Sequence, residues 1–185
     1  MAPGAVSRGD DVVLGVLPLF HIFGLNVVLG PTLWAGCRVV LVERFDPVSA
    51  LATIRDTGVT ILAGPLGMWA SFAGLSDGPA DSFATVRLAV SGVAALPETV
   101  SDQIRERYCV DIAQGYGLTE TSPTVTSSVG SPRAGSIGRV APGVSVRLVD
   151  SDGDDAEPGD AGEIWVRGPN VSPGIGTTPK QPPRP

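Results

Sequence analysis

The chain has 185 residues, enough for one domain or one and a half. A net charge of −6 speaks against non-specific nucleic-acid binding, which needs a cationic surface, so no nucleic-acid partner is expected. Hydrophobic residues at 43% allow a substantial core, whereas aromatic residues at 5%, with 24 glycines and 17 prolines, imply many turns.

Met1–Asp11 shows no basic segment feeding an apolar one, so no targeting signal is expected there. Val12–Cys37 then carries no formal charge other than a proton on His21, over more than a bilayer's length. Pro18, Gly24, Asn26, Gly30, Pro31 and Gly36 interrupt it. Two buried strands around a buried helix are therefore expected, and no transmembrane segment. The pattern places strands at Val12–Leu17 and Arg38–Val42, with the helix at Phe23–Leu33. Asp46 and Pro47 open a second helix as cap and first residue; Val48, Leu51 and Ile54 share its face and Gly58 ends it.

Val59–Ala63 reads as a strand followed by a short helix near Leu66–Phe72, and Val86–Val90 as a strand ending in a loop at Ser91. Pro97 starts a helix with Val100, Ile104 and Tyr108 at four-residue spacing. Val110–Ala113 is the next strand, delivering a loop at Gly115. Alternating strands and helices imply a doubly wound, mostly parallel sheet with helices on both faces. The loops at Gly64, Ser91 and Gly115 would share its crevice. Beyond Ser127 the texture changes: Val144–Val149 and Glu163–Val166 read as antiparallel strands. The expected division is an α/β subdomain over 10–134, part of a small β subdomain over 135–171, and a tail over 172–185. Cys37 and Cys109 lie in apolar surroundings without metal-ligand spacing, reading as reduced core thiols of a cytoplasmic protein.

The chemistry concentrates at residues 114–123, Gln-Gly-Tyr-Gly-Leu-Thr-Glu-Thr-Ser-Pro. Glycine lets backbone approach a ligand, and Tyr116 offers a flat face. Thr119 and Thr121 can donate to phosphate oxygens, and Glu120 is a hard oxygen ligand suited to Mg²⁺. On chemistry alone, a metal–nucleotide site and an ordinary solvated turn remain open.

Gly115–Pro123 resembles the nucleotide-binding signature of the adenylate-forming enzymes, especially acyl-CoA synthetases such as long-chain fatty-acid–CoA ligases. Four further segments resemble that family in its order: Leu17–Gly24 with His21, Ser91–Pro97, Gly135–Arg139 with Pro142-Gly143, and Gly162–Asn170. The resemblance spans about residues 10–171. It implies activation of a small carboxylic acid, notably a fatty or aryl acid, by ATP and Mg²⁺ to an acyl-adenylate, then transfer to coenzyme A.

By that resemblance the catalytic residues are Thr119, Glu120 and His21, with Glu120 the metal ligand. Gly92, Val93, Ala94, Gln114, Gly115, Tyr116, Gly117 and Thr119 would bind nucleotide. His21, Gly64, Leu66, Met68 and Gly117 would line the substrate pocket. Apart from its motif, His21 reads as a core histidine, and for Gly64, Pro65, Leu66 and Met68 plain core and pocket wall both remain open. Val93 and Ala95 depart from the family, which usually shows Gly or Ala at the first position and Pro at the second.

The resemblance also implies that a phosphate-gripping Pro-Lys-Gly loop, a ribose-binding Thr-Gly-Asp and a mobile domain with a catalytic lysine lie outside these residues. A weakly active or inactive fragment is the expectation; a nucleotide- or acyl-binding module, or a subunit complemented by a partner carrying the missing motifs, is the alternative. Where the family continues Tyr-Trp-Asn-Asp, this chain reads Ile175-Gly176-Thr177-Thr178, the text of a frame shifted by one base. Residues 172–185 are thus expected to be a frameshifted, disordered tail, with a Pro-rich linker as the competing reading.

Overall fold

A computed structural model describes residues 7–174. The β-branched runs become strands β1 (Val12–Gly15), β2 (Arg38–Leu41), β3 (Ile61–Pro65), β4 (Leu88–Gly92), β5 (Ile112–Gly117), β6 (Thr124–Ser127) and β7 (Arg139–Val140). They form one sheet in the order β2-β1-β3-β4-β5-β6-β7, parallel through β5 and antiparallel from β5 to β7. Two further strands, β8 (Ser145–Val149) and β9 (Glu163–Arg167), pair as an antiparallel unit. The expected α/β, mostly parallel architecture is the one observed. β7 pairs with β6 through Thr126↔Val140 and Ser127↔Arg139.

The sheet has unequal cover. Helices α2 (Pro47–Thr57), α3 (Leu66–Ala73) and α4 (Glu98–Tyr108) pack on one face, burying Leu14, Ile54, Leu62, Trp69, Phe72 and Ile104. The few aromatics gather there: Phe72 meets Phe83 edge-on at 5.3 Å and Phe83 stacks on Tyr108 at 4.3 Å. The opposite face is closed by a π-helical segment, Gly24–Leu29, running into α1 (Gly30–Ala35), around Val13, Phe23, Val28, Ile61 and Ala63.

The uncharged stretch over 12–37 is thus a strand, a loop and a helix. Among the described residues no helix is long and apolar enough to cross a membrane. Asp46 caps α2 by accepting from Ser49 N–H at 2.9 Å, and Gly58 ends it at φ 67°, as expected. Hydrogen bonds from Ser49 hold the Asp46 carboxyl below its ordinary value.

Three expectations need correcting. Val48 is 64% exposed; the buried face of α2 is Ala50, Leu51 and Ile54. The strand before the Gly-Tyr-Gly run does not stop at Ala113, because β5 runs on through Gly117 and pairs with β6. The cysteines are not core thiols: Cys109 is exposed where α4 ends in a left-handed turn at φ 56°, and Cys37 is half-buried, its Sγ donating to Arg8 O at 2.8 Å. The expectation for the tail falls mostly on residues 175–185, which lie outside the described residues.

Chain direction explains where a ligand crevice opens. After β1 the chain turns to the α1 face; after β3 it turns to the α3 face. Two neighbouring parallel strands whose exits diverge leave a gap at their carboxyl ends. The other end of the sheet is closed by buried Asp11, which accepts from Arg87 Nε at 2.7 Å and Thr60 Oγ1 at 2.7 Å.

Candidate functional site

Register brings two predicted residues, Gly64 and Gln114, into one row with Ser91. Gly64 pairs with Ser91, and Ser91 with Gln114, across β3, β4 and β5 at their carboxyl ends. Gly64 and Ser91 stand one residue before the ends of β3 and β4, and Gln114 three residues before the end of β5. Pro65 pairs with Gly92 one step further out.

The loop after β4 is braced from below. Gln114, buried, accepts the Leu96 N–H on Oε1 at 3.0 Å. Its own backbone is fixed by Ser128: Gln114 N donates to Ser128 Oγ at 2.7 Å, and Ser128 N to Gln114 O at 2.8 Å. Ser91 Oγ is buried with no hydrogen-bond partner. Between these anchors Val93, Ala94 and Ala95 stand exposed. Val93 is 70% exposed and holds φ 76°, a region that a β-branched residue enters only under strain.

Gly115 and Tyr116 are half-buried and Gly117 exposed in β5. Thr119–Thr121 forms one 3₁₀ turn, with the side chains of Thr119 and Glu120 exposed. Thr121 departs from expectation. It is buried, with its hydroxyl turned inward to Pro123 O at 2.6 Å and receiving Leu118 N–H at 2.9 Å, so it builds the turn and faces no ligand.

His21 stands exposed at the start of the π-helical segment. Its Nδ1 accepts Phe23 N–H at 3.1 Å, which leaves Nε2 as the free nitrogen. This segment reaches the rest of the row twice. The Phe23 ring lies on Gly92, where an added Cβ would sit 3.2 Å from Cζ. Asn26 Nδ2 donates to Ser122 O at 3.3 Å. Of the wall residues, Leu66 is half-buried, whereas Met68 lies in the larger core with its methyl against Gly64. Trp69 Nε1 donates to Gly64 O at 3.1 Å and fixes that corner.

Sequence reasoning passed over Ser91 and Asn170 as individual site residues. Asn170 donates from Nδ2 to Thr121 O at 2.8 Å and Thr124 O at 3.0 Å. Concavities of about 460 Å³ and 300 Å³ lie away from this row, beside α3 and α4 and at the amino ends of β4 and β5. The donors suit a cation that arrives with its ligand. Glu120 is one exposed carboxylate, and among the described residues no group of three or more His, Cys, Asp or Glu could hold a metal ion. Mg²⁺ keeps several waters and takes one or two protein carboxylates beside phosphate oxygens, so it fits here.

The chain resembles known proteins in sequence and in fold. The indoleacetate–CoA ligase of Aromatoleum aromaticum is 36% identical over 165 residues, 88% of this chain and 32% of that protein. A long-chain-fatty-acid–CoA ligase of Bacillus subtilis is 29% identical over 179 residues, 95% and 32% of the two chains. The crystal structure of ATP-bound MatB from Rhodopseudomonas palustris matches with a TM-score of 0.83 at 30% identity, covering 90% of this chain and 33% of that one. A malonyl-CoA ligase in a ternary product complex with methylmalonyl-CoA and AMP matches at 0.78 with 38% identity, covering 89% and 36%. The chain spans about a third of the length of these relatives. The AMP-binding enzyme pattern itself runs over residues 2–175, and on that match the chain belongs to the AMP-binding enzyme family.

Proposed function

We propose that this chain carries the nucleotide and acyl side of an acyl-CoA synthetase, an acid–thiol ligase that consumes ATP and releases AMP. The observation supporting this most is the Gly64–Ser91–Gln114 row, which aligns the carboxyl ends of β3, β4 and β5, from which the β4 loop and the Thr119–Thr121 turn follow. The acid is a carboxylic acid, for which we propose a fatty acid. The protein acts in the cytoplasm, in keeping with two free thiols.

In the first step a carboxylate oxygen attacks the α-phosphorus of ATP, the bond to pyrophosphate breaks, and an acyl-adenylate forms. In the second the coenzyme A thiolate attacks the acyl carbon and AMP leaves. Little covalent chemistry falls to the protein, so positioning and charge stabilisation carry the rate. His21 Nε2–H donates to the acid and orients it. Thr119 donates to phosphate. Tyr116 and the backbone of Gly92, Val93, Ala94 and Gly115–Gly117 hold the adenine and the acyl carbonyl. Met68 shapes the pocket through Gly64, and Leu66 borders it. Mg²⁺, held by Glu120, supplies neutralisation of the phosphate charge when bound.

The test is pyrophosphate release with ATP, Mg²⁺, coenzyme A and acids from acetate to palmitate and benzoate. The expected release is slow, acid-dependent, greatest with the long alkyl acid, and lost in Glu120→Gln. Acid-independent release, or an unaffected Glu120→Gln, contradicts the proposal. A second reading, binding without turnover, draws on the exposure of His21, Thr119 and Glu120. Mg·ATP binding with no release selects it, and release on adding a partner chain that carries the remaining motifs would make this chain a subunit.

A further inference from the structure

Asn170 lies just beyond β9, yet its side chain ends on the Thr119–Pro123 segment. One amide group donates to two carbonyls on either side of Pro123: Thr121 O at 2.8 Å and Thr124 O at 3.0 Å. Two residues further on, Ser172 N–H donates to Glu120 O at 2.7 Å. The carbonyls of Glu120, Thr121 and Thr124 are therefore held from 168–172, a stretch distant in sequence. From the opposite side Asn26 holds Ser122 O.

The turn closes on itself through the Thr121 hydroxyl and through Leu118 N–H to Pro123 O at 3.0 Å, bonds that fix its shape and leave its orientation on the fold to contacts from outside. Among the described residues no side-chain hydrogen bond or ion pair aims Thr119 or Glu120, and both are exposed. Their direction follows the backbone, whose shape Thr121 closes from within and whose seat on the fold Asn170 and Ser172 hold together with Asn26. The Asn170 amide is in turn confined. Its Oδ1 is buried without a partner, and a Cβ on Gly168 would lie 2.6 Å from it. An acceptor left unsatisfied in a buried place is a cost that the two donated bonds offset.

We infer that Asn170 is a positioning residue: it aims Thr119 and Glu120 at the phosphates of a bound nucleoside triphosphate and at the cation they carry. This rests on the proposed nucleotide reading of the site. It differs from a plain structural staple in one respect. A staple affects every ligand of the crevice alike, whereas Asn170 acts on phosphate recognition and spares the base and ribose.

The experiment titrates Mg·ATP and, separately, adenosine into wild type, Asn170→Ala and Gly168→Ala, with Kd read by NMR. Gly168→Ala keeps the amide and displaces it, and serves if Asn170→Ala fails to fold. Both variants should lower the ratio of Mg·ATP to adenosine affinity by about tenfold, with the adenosine Kd unchanged. Equal losses for both ligands, or an unchanged ratio, overturn the positioning role and leave the nucleotide site standing. A wild type that holds neither ligand sinks the nucleotide reading, and the positioning role with it.

Discussion

Gln114 holds Leu96 across 18 residues: its buried Oε1 accepts the Leu96 N–H at 3.0 Å. This single bond ties the end of the exposed Val93–Ala95 loop to the row of strand ends. Gln114→Leu keeps the volume but orphans a buried N–H, at a cost of about 1–3 kcal/mol. Chemical unfolding of the variant should show that loss, and hydrogen exchange should rise at residues 93–96 while α2 stays protected.

Val93 works against stability. Its φ of 76° costs roughly 1–2 kcal/mol for a residue with a Cβ, and at 70% exposure its side chain recovers little of that by packing. Glycine there loses roughly 0.5–1 kcal/mol through the freedom it gains when unfolded. Val93→Gly should therefore raise stability by about 0.5–1 kcal/mol, read as a higher urea midpoint with an unchanged slope. A lower midpoint would show that the valine makes contacts that outweigh the strain.

Asp11 sets an acid limit. Burial pushes its carboxyl up, but the Arg87 and Thr60 side chains and the Arg8 N–H outweigh that and hold it at about 2, against an ordinary 3.8. The folded value lies below the unfolded one, so the contribution is complete above about pH 4 and lost as pH falls toward 2. Its size is about 2 kcal/mol. Asp11→Asn should be less stable than wild type by about that amount at pH 7, with the two converging near pH 2. A constant gap from pH 7 to pH 2 would show that charge is not the cause.

Gly117 is close-packed. A Cβ there would lie 1.7 Å from Pro123 O, backbone that cannot step aside alone. Gly117→Ala should cost about 2–3 kcal/mol and shift amide resonances of residues 118–124, with β1 and β2 undisturbed.

The strand–helix alternation, the Asp46 cap, Gly58 and the apolar spacing of Ile104 and Tyr108 were legible because each is a local signal. Residues 115–117 misled. Glycine is depleted in strands, so the run reads as loop, but the ladder supplied by Thr124–Ser127 overrides that preference. Cys109 reads as core from its neighbours, yet it lies at the left-handed end of α4 and points outward. Thr121 carries the same hydroxyl as Thr119, and only the fold shows that one turns inward. Asn170 reaches its partners across 49 and 46 residues, a separation with no local trace in the sequence.

The proposed nucleotide site lies at the carboxyl ends of β3, β4 and β5. Amide hydrogen exchange of the wild-type chain with and without saturating Mg·ATP tests it most directly. The account predicts protection at residues 91–96 and 114–122, with none around Asp11 and Arg87 at the far end of the sheet. Protection confined to that far end, or none at all, would contradict it.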